Sequence, residues 1–481
     1  PVNKQTEVIS DTSNVIHKPE TTPSEAALAP AAPSATKVAS AEERFIYEDE
    51  HQKIEFSNQG ARIVSFIVKK YRANKDNQPV EMVPAESPGH LQSDLMSASG
   101  SEAGFSRVNF QVLSKTQNSI TYQATVNGVT LTKAFEIPGN NYQVKLQIKA
   151  EGALKDVRGV QVLGAGRIPE KPGWLKSLTS PQSPDEAYDE MYFSHGSKSN
   201  RVVVSPKSDG LSSQLTSLSD RYEQGHWAAV GSRYFTNVYL NASDLLPSLQ
   251  GFEQNKNTIL KLTYPVINPS QPVVLAVSFY SGPKALSNLG VMDPAVTEIV
   301  DFGMFSFIAI PMLKLMKALY GVFQNYGVAI ILLTLLVRLL VFPFNYYSYK
   351  SMKSMQRIQP ELNRLKEIYK NDNQKMNLEV MKLMRDNKVN PLGGCLPIFL
   401  QLPIFFALFA LLQNSIELYQ APFMLWIRDL SMRDPYFVMP VLMGITMFIQ
   451  QKITPSTMDP AQQRVMLVLP VVFSIFMLGL P

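Results

Sequence analysis

Apolar and polar positions divide this chain into two halves of different texture. From about residue 43 to 290, apolar residues come in short alternating or β-branched runs broken by Gly, Pro and Asn; from about 302 to 481 they fuse into long stretches. Alternation with period two marks half-buried strands, and a stretch of about 20 apolar residues is long enough to cross a bilayer. KIEFSNQGARIVSFIVKKY predicts two strands around an Asn-Gln-Gly turn, and NSITYQATVNGVTLTKAFEI predicts two more around Asn-Gly. NYQVKLQIKAEG, RYFTNVYLNA and PVVLAVSFYSG carry the same signature. Many strands with such punctuation predict a β-sandwich, in a unit drawn over residues 43–300. The stretch from about 168 to 222 is rich in Pro, Ser and Asp and is expected to be loops.

The second half reads as helical. PMLKLMKALYGVF (Pro311–Phe323) places Lys314 and Lys317 three apart among apolar residues, with Pro311 suited to a helix start. This predicts a short amphipathic helix on a membrane surface, within 301–324. Apolar segments follow at about 325–346, 392–414, 435–450 and 465–481. The last two are short, yet near spanning length once tilt or bilayer thinning is allowed. Residues 347–390 are different. Met352, Met355, Leu362, Leu365 and Tyr369 keep near-heptad spacing, NDNQ (Asn371–Gln374) makes a turn, and Met376, Val380, Leu383 and Met384 resume the pattern. This predicts an antiparallel helical hairpin. Its methionines are either an adaptable core between the arms or a soft surface for varied clients.

Charge gives the orientation. Residues 345–391 hold ten Lys or Arg, from Lys350 to Lys388, whereas 415–434 hold only Arg428 and Arg433. A Lys/Arg excess marks the cytoplasmic side, so the hairpin is inside and the β-rich unit outside. The net charge of +5 does not by itself point to nucleic acid, and none is expected as a partner. The single cysteine, Cys395, excludes an internal disulfide and a Cys-rich zinc site, and reads as a small helix-packing residue. Asn390 and Pro391 suit the start of that helix, and Gly393 and Gly394 permit close packing. Residues 1–42, rich in Pro, Ala, Ser and Thr, read as a flexible tether. No apolar segment stands at the opening PVNKQTEV, so a removed export signal or anchor is expected.

One residue breaks the pattern. GVAIILLTLLVRLLVFPFN (Gly327–Asn345) is apolar except for Thr334, Arg338 and the final Asn345. An ionised guanidinium near the middle of a membrane helix costs roughly 2.5–3.5 kcal/mol on insertion scales. Three readings stay open: Arg338 snorkels to the cytoplasmic headgroups, it pairs with a membrane acid, or it lines a wet cavity. Thr334 shares its helix face, and Gln401 in PIFLQLPIFF supplies a polar group from the next segment. Trp426 in APFMLWIRDL is expected to be an interfacial anchor. Enzymatic readings fare worse. All five histidines (His17, His51, His90, His195, His226) precede the apolar half. The chain contains no GxxxxGK[ST], HExxH or GxSxG motif. No catalytic residue, metal site or cofactor is expected. A small-solute transporter or channel remains the alternative, although no filter sequence or acidic ring is present.

QRIQPELNRLKEIY, NKVNPLGGCLPIFLQLPIFFALFALL and ELYQAPFMLWIRDLSMRDPYFVMPVLMGITMFIQQKITP closely resemble the YidC-type membrane protein insertases of Gram-negative bacteria. Over about 300–481 the resemblance is specific; in the β-rich half it rests on FSNQGARIVSF, SRYFTNVY and SFYSGPK. It implies a periplasmic β-supersandwich followed by an α-helical transmembrane bundle with a cytoplasmic helical hairpin. It also implies an insertase and chaperone of the bacterial inner membrane. Clients would pass through a hydrophilic groove closed to the outside, alone or with the Sec translocon. The family's arginine falls on Arg338, and its neighbouring polar residues fall on Thr334 and Gln401. The hairpin, with Met352, Met355, Met376 and Met384, would receive clients. The implied partners are nascent membrane proteins, the Sec translocon, the lipid bilayer and the ribosome. The family's N-terminal anchor and last spanning helix have no counterpart in this sequence.

Overall fold

The computed structural model describes residues 41–73, 77–139, 141–167, 190–195, 198–203, 224–254, 257–387, 396–453 and 460–478. The expected tether lies almost wholly outside them, as do Asn390, Pro391, Gly393, Gly394 and Cys395.

The predicted hairpins form with the predicted turns. Ser119–Val126 pairs antiparallel with Val129–Glu136, and Asn127 and Gly128 between them take φ of 49° and 75°. A two-residue turn matching the twist of its strands needs positive φ at both positions, which Asn and Gly tolerate. Gln52–Ser57 and Arg62–Arg72 pair likewise, across a turn with Gly60 at φ 69°. These strands join three antiparallel sheets. The largest runs Lys198–Val203, Glu190–His195, Trp227–Gly231, Phe235–Asn241, Val273–Pro283, Gln143–Gly152, Val129–Glu136, Ser119–Val126, Gln111–Lys115. A second runs Arg44–Glu48, Gln52–Ser57, Arg62–Arg72, Pro79–Glu81. A third runs Ser248–Gln254, Asn257–Pro265, Val157–Arg167, Gln92–Ser97. Their inward residues share one core: Phe56 meets Phe135 at 5.1 Å between ring centroids, Phe66 meets Phe279 at 6.2 Å, and Val162 and Leu262 are fully buried with them. Sheets covering sheets in this way make the sandwich that the alternation predicted.

Two strands stand where loops were expected. Glu190–His195 and Lys198–Val203 pair with each other, and the former also with Trp227–Gly231. Met191, Tyr192 and Phe193 are buried there, a short apolar triplet that the polar composition of 168–222 conceals.

The helices follow: α1 Leu286–Met292, α2 Ser306–Phe323, α3 Tyr326–Ile368, α4 Asn373–Asp386, α5 Leu396–Asn414, α6 Val438–Ile453 and α7 Pro460–Met477. The helix expected to start at Pro311 begins five residues earlier, and Pro311 lies inside it. The flanking residues already carry the apolar stripe: Ala309, Met312, Leu313 and Met316 are buried at helical spacing, while Lys314 faces away. That stripe packs with Ala329 and Leu333 of α3 and with Ala407 and Leu411 of α5.

A second difference concerns α3. The first apolar segment and the first hairpin arm, divided at 346/347 on the sequence, are one helix of 43 residues. Asn325 caps its start, accepting from the Val328 N–H at 3.1 Å. It passes through Pro343 and Pro360 without ending. The chain then turns over Tyr369–Asp372, and the Asp372 side chain caps α4 by accepting from the Lys375 N–H at 3.0 Å.

Candidate functional site

Arg338 sits on the exposed face of α3, among the exposed Leu335, Leu336, Leu339 and Leu340. No acidic side chain forms an ion pair with it among the described residues, and Glu417 is taken by Lys317 at 2.5 Å. The internal ion pair that was one reading of this arginine is therefore not made among those residues. Thr334 is half-buried one turn earlier, and its hydroxyl donates to the Ile331 carbonyl at 2.7 Å.

Gln401 is half-buried on α5. The helices α3 and α5 run antiparallel, because Asn325 at the start of α3 donates to the Phe423 carbonyl just beyond α5 at 3.0 Å. They touch where Leu333 and Ala329 meet Ala407 and Leu411. Following that seam toward the C-terminal end of α3 leads to Val337 and Arg338 on one helix and to Gln401 on the other.

Prolines add polarity that side-chain reading misses. Pro343 has no N–H, so the Leu339 carbonyl, next to Arg338, lacks its helical donor. Pro403 does the same to the Phe399 carbonyl, half a turn from Gln401. In a bilayer, such freed carbonyls are tolerated where water or polar groups reach them.

A cavity of about 1080 Å³ lies toward the N-terminal end of α3, and Arg338 does not line it. Its walls include Gly327 and Ile331 of α3, Phe423 and Trp426 of the loop after α5, and Met439 and Met443 of α6. Trp426 is half-buried, and its indole N–H donates to Asp434 at 3.0 Å. Asp434 also accepts from the Tyr436 and Met439 N–H groups, which hold its carboxyl below the usual range against the opposing effect of burial.

In the hairpin, Ile358 and Leu362 are buried between the arms, and Met355, Val380, Leu383 and Met384 pack on them. Two of the four singled-out methionines, Met355 and Met384, thus serve the hairpin's own core. Met352 and Met376 are half-buried and lie outside that cluster. Ile358 was absent from the sequence pattern, although it lies four residues before Leu362 on the same face.

Among the described residues no group of His, Cys, Asp and Glu is placed to hold a metal ion. Among the described residues two helices are long and apolar enough to cross a membrane, Gly303–Phe323 and Tyr326–Ile368, with shorter apolar helices at Phe399–Asn414, Val438–Ile453 and Val468–Met477.

Residues 48–315 match the family described as YidC periplasmic domain, and residues 318–481 match the family described as 60Kd inner membrane protein. A membrane protein insertase YidC from Geotalea uraniireducens is 34% identical over 440 residues, covering 89% of this chain and 80% of that one. One from Marinobacter nauticus is 33% identical over 448 residues, covering 88% and 76%. A galactose mutarotase related enzyme from Lactobacillus acidophilus superimposes with a TM-score of 0.31 at 12% identity, covering 50% of this chain and 97% of that chain.

Proposed function

Since the chain belongs to the YidC family of membrane protein insertases, inner-membrane proteins with a periplasmic domain, we propose that Arg338, Thr334 and Gln401 form the polar surface over which client segments enter the bilayer. A client helix of about 20 apolar residues gains free energy by entering lipid. Its barrier is the polar flank that must cross, at roughly 2.5–3.5 kcal/mol per charge at the bilayer centre. A wet dent beside α3 and α5 shortens the dry path. Arg338 offers a client carboxylate about 4 kcal/mol at 4 Å and an effective dielectric of 20, before desolvation. The client then slides sideways into lipid, driven by partitioning, with the membrane potential favouring outward movement of acidic flanks.

The observation that carries this reading is the exposure of Arg338 without an acidic partner among the described residues. An unpaired guanidinium is open to a transient carboxylate, and the crosslinking below separates that role from snorkelling to lipid headgroups. The carbonyls freed by Pro343 and Pro403 support a hydrated surface at the same level. The multi-pass arrangement, the role of α2 as a surface helix and the hairpin as client receiver belong to the same proposal. So does cooperation with the Sec translocon and the ribosome. For α2, Lys314 and Lys317 in mid-helix favour lying on the surface over spanning.

The test is site-specific photocrosslinking from position 338 to a nascent membrane protein. Adducts to the client's transmembrane segment are expected; adducts to lipid alone defeat the reading. The alternative, a small-solute transporter or channel, predicts solute or ion flux in liposomes without any client.

A further inference from the structure

The loop that follows α5 belongs to two cores at once. Ile416 and Tyr419 are buried in the core of the β-domain, while Leu418 is buried among α2, α3 and α5. Tyr419 enters a cage of Tyr234, Phe235 and Tyr71, with ring centroids 5.2, 5.5 and 5.9 Å away. Its hydroxyl donates to the Arg72 carbonyl at 2.7 Å. The carboxamide of Gln420 donates to the same carbonyl at 2.6 Å and accepts from the Arg72 N–H at 3.1 Å. Arg72 ends the strand Arg62–Arg72, and the amide satisfies both of its backbone groups as a neighbouring strand would.

The same loop is fastened to the bundle. The Gln420 N–H donates to Asp429 at 2.9 Å. Phe423 lies so close to Gly327 of α3 that a Cβ there would meet its ring at 2.1 Å. Trp426 is tied through Asp434 to the Met439 N–H of α6. From Tyr419 onward the segment therefore runs from the β-domain across the outer ends of α3 and α6, over the 1080 Å³ cavity.

We propose that Tyr419 and Gln420 are positioning residues through which the β-domain holds this loop down as the outer seal of the membrane half. The proposal rests on the insertase reading only for the purpose of the seal: a groove open to the cytoplasm must stay shut outward. Segments with few buried contacts open locally at low free-energy cost. Among residues 431–437 of the loop only Ser431 is buried, and Pro435, Tyr436 and Phe437 are exposed, so its closure leans on the anchored end.

The test reads water access beneath the loop and needs no client. In a Cys395→Ser background of the full chain in vesicles, Ile330→Cys reports through its labelling rate by an impermeant maleimide added outside. Gln420→Glu keeps the shape but cannot donate to Arg72, and Tyr419→Ala empties the cage. Both are expected to raise the labelling rate, by about tenfold for Tyr419→Ala, as the open population grows. Tyr419→Phe, which keeps the ring, should restore most of the protection. An unchanged rate in Gln420→Glu and Tyr419→Ala, with the β-sheet circular dichroism and melting of the full chain intact, overturns the proposal. So does a rise that appears only in a variant whose β-domain melts early. Crosslinking from position 338 is measured separately, so failure of the seal and failure of the insertase reading are told apart.

Discussion

His90 shows how a single ring records its protonation state. Its Nδ1 faces two donors, the Tyr239 hydroxyl at 2.7 Å and the Ala165 N–H at 3.4 Å, and its Nε2 faces the Met82 carbonyl at 3.4 Å. That arrangement fits the neutral ring with its proton on Nε2, and burial lowers its pKa to about 4. The unfolded chain binds a proton near 6.5 that the folded chain refuses. Stability is therefore present above pH 6.5 and lost as pH falls toward 4, by about 3 kcal/mol in all. Melting of the full chain, followed by its β-sheet signal, should show this loss, and His90→Gln should flatten it. Lys133 is a second buried group of this half. Its Nζ donates to the carbonyls of Gly60 at 3.1 Å, Leu91 at 2.8 Å and Ala61. Burial pushes its pKa down, yet the amine is a donor shared by three backbone acceptors, two in the turn at Gly60–Ala61 and one at Leu91. Lys133→Met takes that donor from the Gly60 and Ala61 carbonyls, while Leu91 keeps the Ser93 hydroxyl, and should cost about 3 kcal/mol in the same measurement. Arg338, on the exposed face of α3, is the residue on which the proposed function is tested. Arg338→Ala should slow insertion of clients with acidic translocated segments about tenfold, a loss of about 1.4 kcal/mol, and spare neutral ones. Equal loss for both classes would argue for a structural role. Arg338→Lys should keep most of the activity if charge matters more than the planar fork.

At the scale of elements, period and punctuation were reliable guides where one face is buried. The Asn127-Gly128 hairpin and the strand Val273–Pro283 stand where the alternation placed them. The strand Glu190–His195 was hidden because three apolar residues in a polar stretch give no period to read. The start of α2 was misplaced because proline at a first turn is a common signal, and nothing local distinguishes Pro311 inside a helix already held by packing. The hairpin illustrates the opposite risk. Its methionines attracted attention, but Ile358 and Leu362 hold the arms together, at 6% and 5% exposure. Leu362→Ala should weaken the pairing of α3 with α4 by about 2–3 kcal/mol, visible as faster amide exchange across α4. Met352→Ala should leave that exchange unchanged.

For the whole molecule, two domains were legible from texture alone, because strands and membrane helices have different periods and lengths. Their junction was not. Nothing in the string ELYQAP announces that Tyr419 belongs to a core built by residues 71, 234 and 235, since such partners are distant in sequence and become neighbours only after folding. The candidate site was half legible. Arg338, Thr334 and Gln401 declare themselves by polarity in apolar runs, whereas the carbonyls freed by Pro343 and Pro403 require knowing that both helices continue through their prolines.

That continuity has a mechanical side. Forty-three residues in one helix make a lever of about 65 Å. Arg338 lies about 45 Å from its far tip at Ile368, so a tilt of about 5° swings the tip by about 4 Å relative to the guanidinium. No loop interrupts the backbone between that tip and the turn that bears the charge, and Pro343 and Pro360, each missing one helical hydrogen bond, are where it would bend under load.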